Sequence, residues 1–275
     1  MTDSNRDAWQ ERSRSWAASA AQGRSADDTF NQMVVAEAGI RPGEDVLDTA
    51  SGTGNPAVTI ALSMDGAGSV TCSDFTPRML ETARGRAQNL SLAIMRFAAC
   101  DMTALAFANE TFDCVTCRFG LMSVDKDRRV LAAREALRVL RPGGRVVYVV
   151  WGAYEENPPF VVPRRTVARF LGEDEGKPPG RHSMSAPGTL TAILDAAGFA
   201  RSEERELRYR NRVENPQEYV KKGLTRSFAE QVEGLSAERR AALERAVLEA
   251  WQPHMEGGVL QVPNYARLGI GWKRA

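Results

Sequence analysis

The alternation of short apolar segments with helical segments from Glu44 to Trp151 constrains the fold more than any other feature of this sequence. Short apolar runs bounded by turn residues are typical of buried strands. The predicted strands are Asp45–Thr49, Ser69–Asp74, Ala93–Ala99, Phe112–Arg118 and Arg145–Trp151. Strands separated by helices need right-handed crossovers, which make the strands parallel and cover both faces of the sheet. The sequence therefore predicts a doubly wound α/β domain.

Beyond Trp151 the regular alternation stops. We expect the core to comprise residues 41–152 and 189–275, with a helical insertion at about 216–256. Residues 153–188 are expected to form a separate insertion of helix and loop. A last strand within Val259–Lys273, where apolar residues alternate, would return to the sheet as its one antiparallel member.

The charge balance and the apolar runs exclude several classes of partner. With 36 basic and 35 acidic residues the formal net charge is +1, whereas proteins that bind nucleic-acid phosphates usually carry a strong positive field. The longest apolar run, Val146–Trp151, is far too short to cross a bilayer, and the polar N-terminus does not resemble a signal peptide. We therefore expect no nucleic-acid partner, no stable membrane insertion and a cytoplasmic location, with the oligomeric state left open.

A turn of small residues follows the first predicted strand. Gly52 and Gly54 stand between this strand and the next helix, where glycine lets the backbone turn sharply and approach a ligand. Pro56 suits the first position of that helix. The pattern Gly52-x-Gly54-x-x-Ala57 by itself satisfies the dinucleotide fingerprint, which is a weak signal when it stands alone.

Acidic residues accompany three successive predicted strands. Asp48 lies in the first strand, Asp74 ends the second about 20 residues beyond the turn, and Asp101 with Met102 follows the third. A carboxylate at the end of the second strand can accept hydrogen bonds from both hydroxyls of a ribose. One acid alone would be a solvated loop residue, but three at successive strand ends beside a glycine turn indicate a nucleoside site.

These motifs together resemble the class I S-adenosylmethionine-dependent methyltransferases. The matching segments are Asp48-x-Ala50-x-Gly52-x-Gly54, Asp74-Phe75-Thr76-Pro77-Arg78-Met79-Leu80, Asp101-Met102, Phe112-Asp113-x-Val115 and Leu140–Gly144. The second of them is similar to a pattern of the small-molecule branch related to the ubiquinone/menaquinone C-methyltransferases. The resemblance covers residues 40–152 well and implies a Rossmann-like fold, S-adenosylmethionine as cofactor and a helical lid formed by residues 1–40, which include Trp9 and Trp16.

The resemblance also implies roles for individual residues. Asp48 would hold the amino-acid end of the cofactor, Asp74 the ribose and Asp101 the adenine amine, with Phe75 packed on the adenine. Arg118 would lie near the point where the methyl group emerges. The implied cofactor-binding set is Asp48, Ala50, Ser51, Gly52, Gly54, Asp74, Phe75, Met79, Asp101, Met102 and Arg118. Ala50 departs from the family, which has glycine there, and its methyl group is tolerated if the backbone φ is negative.

The acceptor of the methyl group is expected to be a small molecule such as a quinol, a phenol, an amine or another secondary metabolite, bound near residues 153–188. Methyl transfer needs no metal and no covalent nucleophile, because alignment of the reactants supplies most of the rate. His182, one of two histidines, could act as a base toward such an acceptor. The alternative is that His182 is an exposed loop residue.

Two other functions share parts of this pattern. A nicotinamide-dependent oxidoreductase also has the glycine turn and an acid on the second strand, although it would not require Asp48 or the Asp101-Met102 pair. A cofactor-binding regulatory protein without catalytic activity would keep the same motifs.

Overall fold

The computed structural model describes residues 28–275, so the predicted helix around Trp9 and Trp16 lies outside the described residues. The helices are α1 (Asp28–Ala38), α2 (Ala57–Ser63), α3 (Pro77–Asn89), α4 (Arg129–Val139), α5 (Pro158–Leu171), α6 (Thr189–Ala197), α7 (Pro216–Ser227), α8 (Ala229–Glu233) and α9 (Ala237–Ala250). The strands are β1 (Asp45–Thr49), β2 (Ser69–Asp74), β3 (Met95–Ala99), β4 (Phe112–Arg118), β5 (Leu140–Trp151), β6 (Arg201–Val213), β7 (Met255–Glu256) and β8 (Val259–Trp272).

The strands form one sheet in the order β3-β2-β1-β4-β5-β8-β6, with β7 paired to β8. Strands β1 to β5 pair in parallel. Strand β8 runs antiparallel to β5, with Arg145 opposite Trp272 and Trp151 opposite Ala266. The predicted mostly parallel, Rossmann-like sheet with an antiparallel last strand is therefore confirmed.

The central strands are apolar because both of their faces are covered. Every residue of β2 is buried, as are the last four residues of β1, which agrees with the continuous apolar runs expected for parallel strands. Helix α4 packs on β5 through the small side chains of Ala132, Ala133 and Ala136, all at most 2% exposed. Small residues at this face let the helix approach the sheet closely.

Strand β5 differs from its prediction. It was predicted as Arg145–Trp151, but it begins at Leu140, immediately after α4, and so also includes Arg141-Pro142-Gly143-Gly144. The pairing with β4 shifts at this segment, since Phe112 pairs with Leu140 and Cys114 with Arg145. An irregularity of this kind accommodates the proline and the glycines without ending the strand.

The chain divides into two compact units. The core unit extends from the start of the described residues to Trp151 and includes Ser183–Glu206 and Ala266–Ala275. The helical unit comprises Gly152–His182 and Leu207–Tyr265 and packs around Trp251 and Leu243, which are 1% and 0% exposed. The boundaries and roles predicted for the lid and the insertions stay predictions. Within residues 28–275, no helix combines the length and the apolar character that a membrane crossing requires.

Candidate functional site

The site predicted from sequence lies at the carboxyl ends of the parallel strands in the core unit. Strands β3, β2, β1 and β4 are neighbours in that order, so the segments that follow them emerge side by side at one edge of the sheet. Asp48 of β1 is also in register with Thr116 of β4. Ligands of open α/β sheets bind at this edge.

Asp48 is completely buried, and only one of its two carboxylate oxygens has a partner. The Thr116 hydroxyl donates to Oδ1 at 2.6 Å. Oδ2 is buried and accepts no hydrogen bond within residues 28–275. Burial raises the pKa of Asp48 to about 7, because the ionised form loses its hydration. A buried carboxylate of this kind is suited to a cationic ligand that would keep it ionised.

Asp74 connects the end of β2 to the glycine turn. Its Oδ2 accepts from the backbone amide of Gly52 at 2.9 Å, and its Oδ1 accepts from the amide of Thr76 at 2.8 Å. The side chain is buried, and burial raises its pKa. Asp74 therefore fixes the conformation of the turn, a role that the sequence analysis did not foresee.

The two glycines of the turn have different surroundings. Gly52 has a φ of +55°, and a Cβ atom there would meet nothing within 4 Å. Gly54 has a φ of +95°, and its Cβ would lie 3.2 Å from Val58 and 3.3 Å from Ala83. Gly52 thus borders open space, where a ligand can approach the backbone, whereas Gly54 is required by the close packing of α2 and α3.

The condition set above for tolerating alanine at position 50, a negative φ, is not met. Its φ is +51°, in the left-handed region that disfavours a Cβ atom. The methyl group of Ala50 lies against Gly120, where an added Cβ would be 2.4 Å away from it. Because Gly120 has no side chain, it leaves room for the methyl group of Ala50.

The remaining predicted side chains of the adenine region line the same edge. Thr103 donates to Oδ1 of Asp101 through its amide at 2.8 Å and its hydroxyl at 2.9 Å. Met102 and Phe75 are half-buried, whereas Met79 is buried in α3. The hydroxyl of Ser51, also buried, donates to the carbonyl of Asp48 at 2.6 Å.

Arg118 and three aromatic rings cover the end of β4. The ring of Phe119 is stacked between Trp151, at 4.0 Å between centroids, and Phe30 of α1, at 5.6 Å. The guanidinium of Arg118 lies 5.1 Å from the Phe119 ring centroid and 5.7 Å from that of Phe30. None of these three aromatic residues was among the site residues predicted from the sequence. Phe119 and Trp151 could have been predicted as site residues, because both lie at the carboxyl ends of strands.

Helix α1 also contacts the glycine turn through Asn31. This side chain is 1% exposed, and its amide nitrogen donates to Oδ1 of Asn55 at 3.4 Å. Its own Oδ1 is a second buried acceptor without a hydrogen-bond partner in the described part of the chain. Sequence reasoning missed Asn31, because nothing in the periodicity of α1 distinguishes a buried asparagine from an exposed one.

His182 belongs to the helical unit and is 6% exposed, so the alternative of an exposed loop histidine is wrong. The catalytic role of His182 stays a prediction. Among the described residues, no cluster of three or more His, Cys, Asp or Glu side chains could hold a metal ion. Cys114 and Cys117 are buried free thiols whose pKa burial raises to about 12.

Comparison with known proteins identifies the family. The sequence model of the ubiE/COQ5 methyltransferase family matches residues 25–162. The ubiquinone/menaquinone biosynthesis C-methyltransferase UbiE of Cellvibrio japonicus is 32% identical over 193 residues, which cover 63% of this chain and 74% of the relative. The corresponding UbiE of Cronobacter sakazakii is 31% identical over 58% of this chain and 68% of the relative.

Solved structures share the fold. YcgJ of Bacillus subtilis aligns with a TM-score of 0.55 and 22% identity over 89% of this chain and 98% of its own. A phosphoethanolamine N-methyltransferase of Haemonchus contortus, solved with S-adenosylmethionine, aligns with a TM-score of 0.55 and 17% identity over 90% of this chain and 53% of its own.

These findings confirm the resemblance and the cofactor, and they favour neither the oxidoreductase nor the inactive regulatory protein. The observed strand order, the turn after β1 and the acids at the strand ends agree with them. The chain belongs to the ubiE/COQ5 methyltransferase family and is an S-adenosylmethionine-dependent methyltransferase that acts on a small molecule.

Proposed function

We propose that the core unit binds S-adenosylmethionine at the carboxyl edge of β1–β4 and that the enzyme methylates a hydroxyl-bearing aromatic acceptor of the quinol or phenol class. The main support for the proposed cofactor site is Oδ2 of Asp48, a buried atom that has no hydrogen-bond partner within residues 28–275. The acceptor part is supported by the names of the UbiE relatives, which are C-methyltransferases of ubiquinone and menaquinone biosynthesis.

Asp48 binds the ammonium group of the cofactor in this proposal. An ammonium group is cationic and has three donors, so it satisfies Oδ2 and stabilises the ionised form of Asp48. Asn31 Oδ1, the other buried acceptor beside the turn, is available as a second ligand. Gly52, with open space at its Cβ position, admits the amino-acid end of the cofactor.

Asp74 binds the ribose hydroxyls, and Asp101 binds the adenine amine. Each carboxylate oxygen of Asp74 already accepts one amide hydrogen bond, but a carboxylate oxygen has a second lone pair that can accept from a ribose hydroxyl. Phe75 packs on the adenine, with Met79 and Met102 alongside. Ser51 and Ala50 complete the turn.

The rings of Phe119 and Trp151, together with Arg118, form one side of the acceptor site. S-adenosylmethionine supplies a methyl group on an electrophilic sulfonium when it is bound. The contribution of the protein is to orient the acceptor, and orientation is worth an effective molarity of about 10⁵ M or more. Stacked aromatic side chains favour a flat acceptor, and a guanidinium stabilises negative charge on its oxygen.

Methyl transfer to defined probes tests this proposal. The full-length enzyme is incubated with isotope-labelled S-adenosylmethionine and naphthohydroquinone, catechol or aniline, and the products are identified by mass spectrometry. We expect a labelled methyl group on one or both hydroxyl compounds. Methylation of aniline alone would contradict the acceptor class, while calorimetric binding of S-adenosylmethionine tests the cofactor site independently.

We also infer a cytoplasmic location, since the four cysteines are free thiols and free thiols persist in reducing compartments. The near-zero net charge supports the absence of a nucleic-acid partner.

A further inference from the structure

The buried face of helix α1 contains a polar side chain. Phe30, Val34 and Ala38, spaced four residues apart, are at most 2% exposed, as expected for the face that a helix packs on a core. Asn31, beside Phe30, is 1% exposed although its side chain is an amide. A buried amide is costly unless both its oxygen and its nitrogen have hydrogen-bond partners. Apolar packing therefore does not explain why an asparagine stands at this position.

The amide nitrogen of Asn31 has its partner in the glycine turn. Nδ2 donates to Oδ1 of Asn55 at 3.4 Å, and the same oxygen accepts from the guanidinium of Arg86 at 3.2 Å. Arg86 also donates to the carbonyl oxygen of Thr53 at 2.7 Å, which holds this side chain of α3 against the turn. The three side chains thus form a chain of hydrogen bonds from α3, through the turn, to α1.

This chain of hydrogen bonds fixes the orientation of the Asn31 amide. A guanidinium can only donate, so the atom of Asn55 that it meets is the amide oxygen. That oxygen can only accept, so Asn31 turns its NH2 group toward it. Oδ1 of Asn31 is left buried and without a hydrogen-bond partner among residues 28–275. Arg86 therefore determines, through Asn55, that Asn31 offers a ligand an acceptor and not a donor.

A second acceptor without a partner belongs to the same turn. The hydroxyl of Ser51 donates to the carbonyl of Asp48 at 2.6 Å, and the carbonyl of Ser51 accepts from the backbone amide of Asn55 at 3.1 Å. Oδ2 of Asp48, like Oδ1 of Asn31, is buried and has no partner in the described part of the chain. A ligand that satisfies both atoms needs two donors, and the carboxylate favours a cationic one. An ammonium group has three donors and a positive charge.

We propose that Asn31 selects the cofactor by its ammonium group, through Oδ1, and that Arg86, acting through Asn55, is the positioning residue that keeps this oxygen free. The proposal rests on the cofactor site proposed above, in which Asp48 binds the same ammonium group. Asp48 supplies charge, whereas the neutral amide of Asn31 supplies direction. Without Arg86, the Asn55 amide can turn over and donate to Asn31, whose oxygen is then occupied by the turn instead of the ligand.

Calorimetry with two ligands tests this selection in the full-length enzyme. S-adenosylhomocysteine carries the ammonium group, and its deaminated analogue keeps the adenosine, the thioether and the carboxylate but lacks that group. The ratio of their two Kd values measures recognition of the ammonium group. Because a hydrogen bond from a charged donor is lost, Asn31→Leu should raise the Kd for S-adenosylhomocysteine about tenfold and leave that for the analogue unchanged.

Variants of α3 test the positioning role and leave α1 intact. Arg86→Met removes the donor to Asn55 and should raise the Kd for S-adenosylhomocysteine alone, by about fivefold, since the Asn31 amide then keeps its orientation only part of the time. Arg86→Lys keeps a cationic donor and should retain most of the selectivity. Arg84→Met is the matched control, because Arg84 is exposed on the same helix and lies 5.1 Å from the Phe97 ring centroid. It should keep the parental ratio of Kd values.

An acceptor that cannot donate should restore the orientation in the absence of Arg86. When Asn55→Asp is combined with Arg86→Met, the new carboxylate can only accept from Asn31, so the ratio of Kd values should return to within about twofold of the parental one. This rescue should disappear when Asn31→Leu is added. An effect of the added negative charge alone would persist there.

The outcomes distinguish the proposal from the cofactor site on which it rests. An equal rise of both Kd values in Asn31→Leu would make Asn31 a structural residue and overturn the proposal, while the cofactor site would stand. A parental ratio in Arg86→Met, or a rescue that persists without Asn31, would overturn the positioning role. Failure of the parent to bind S-adenosylhomocysteine would instead contradict the proposed function, and this selection with it.

Discussion

The two edges of the sheet hold their acids in different ways. At the amino edge, Asp45 and Asp113 share the guanidinium of Arg141, at 2.9 Å and 2.6 Å. At the carboxyl edge, the hydrogen bonds that Asp48 and Asp74 accept come from a threonine hydroxyl and from backbone amides. Asp45 and Asp113 are therefore paired with a guanidinium, whereas Asp48 and Asp74 are held by a hydroxyl and by backbone amides.

The pKa values follow this difference. A hydrogen bond from Ser69, together with the contacts to Arg141, lowers the pKa of Asp45. Burial raises the pKa of Asp48 to about 7 and also raises that of Asp74. Stability alone would favour pairing at both edges. A buried carboxylate that is not held in an ion pair is available to bind a cationic, hydroxyl-rich ligand.

The largest effect is expected from Asp48→Asn, which removes the charge but keeps the shape. Loss of a buried charged partner costs about 2–5 kcal/mol, so the Kd for S-adenosylmethionine should rise at least about thirtyfold, as measured by calorimetry. Asp113→Asn at the amino edge is the matched control, which should bind the cofactor normally and unfold at a lower temperature. Equal binding by both variants would remove the proposed distinction between the edges.

Asp74→Ala should have the next largest effect. It removes the acceptor of the ribose hydroxyls and of the Gly52 amide, and hydrogen bonds to charged groups contribute about 1.5–3 kcal/mol. The Kd for S-adenosylmethionine should rise at least about tenfold. The variant should also be less stable in urea, because two backbone amides lose their partner. Unchanged affinity in a folded variant would exclude Asp74 from the site.

The pH dependence of binding should be smaller. Since the pKa of Asp48 is about 7 in the folded chain, its ionised fraction, and with it the affinity for an ammonium group, should fall about fivefold between pH 7 and pH 6. The stability of the free enzyme should change in the opposite direction. The raised pKa contributes stability that is fully present below the ordinary value of 3.8 and is lost as the pH rises through about 7.

Asp48→Asn is again the informative variant, because both pH dependences should disappear from it. Titrations at several pH values between 5.5 and 7, in parallel with urea unfolding, measure the two effects. A pH dependence that persists in Asp48→Asn would assign the titration to another group.

The smallest effect is expected at Ala50. Its φ of +51° disfavours a Cβ atom, so Ala50→Gly should raise the free energy of unfolding by less than about 1 kcal/mol, part of the gain being offset by the greater freedom of glycine in the unfolded chain. The cost of Gly120→Ala should be smaller in the Ala50→Gly background, since the contact at 2.4 Å is then gone. Additive effects in chemical denaturation would show that the two positions are not coupled.

The sequence by itself determined the elements that depend on local pattern. Buried parallel strands such as β1 and β2 need continuous apolar runs, and the turn after β1 needs small residues, so both could be recognised without tertiary contacts. The acids at the strand ends could be placed at one edge for the same reason, since parallel strands bring their carboxyl ends together. The family and its cofactor followed from these motifs.

Tertiary structure decided what depends on contacts between distant segments. Burial of His182, the stack of Phe30, Phe119 and Trp151, and the missing partner of Asp48 Oδ2 arise from residues far apart in the chain. The space for the methyl group of Ala50 depends on Gly120, and the early start of β5 depends on its pairing with β4. Hydrophobic periodicity reports which face of an element is buried, but the atoms that a buried polar group meets are fixed only when the elements pack together.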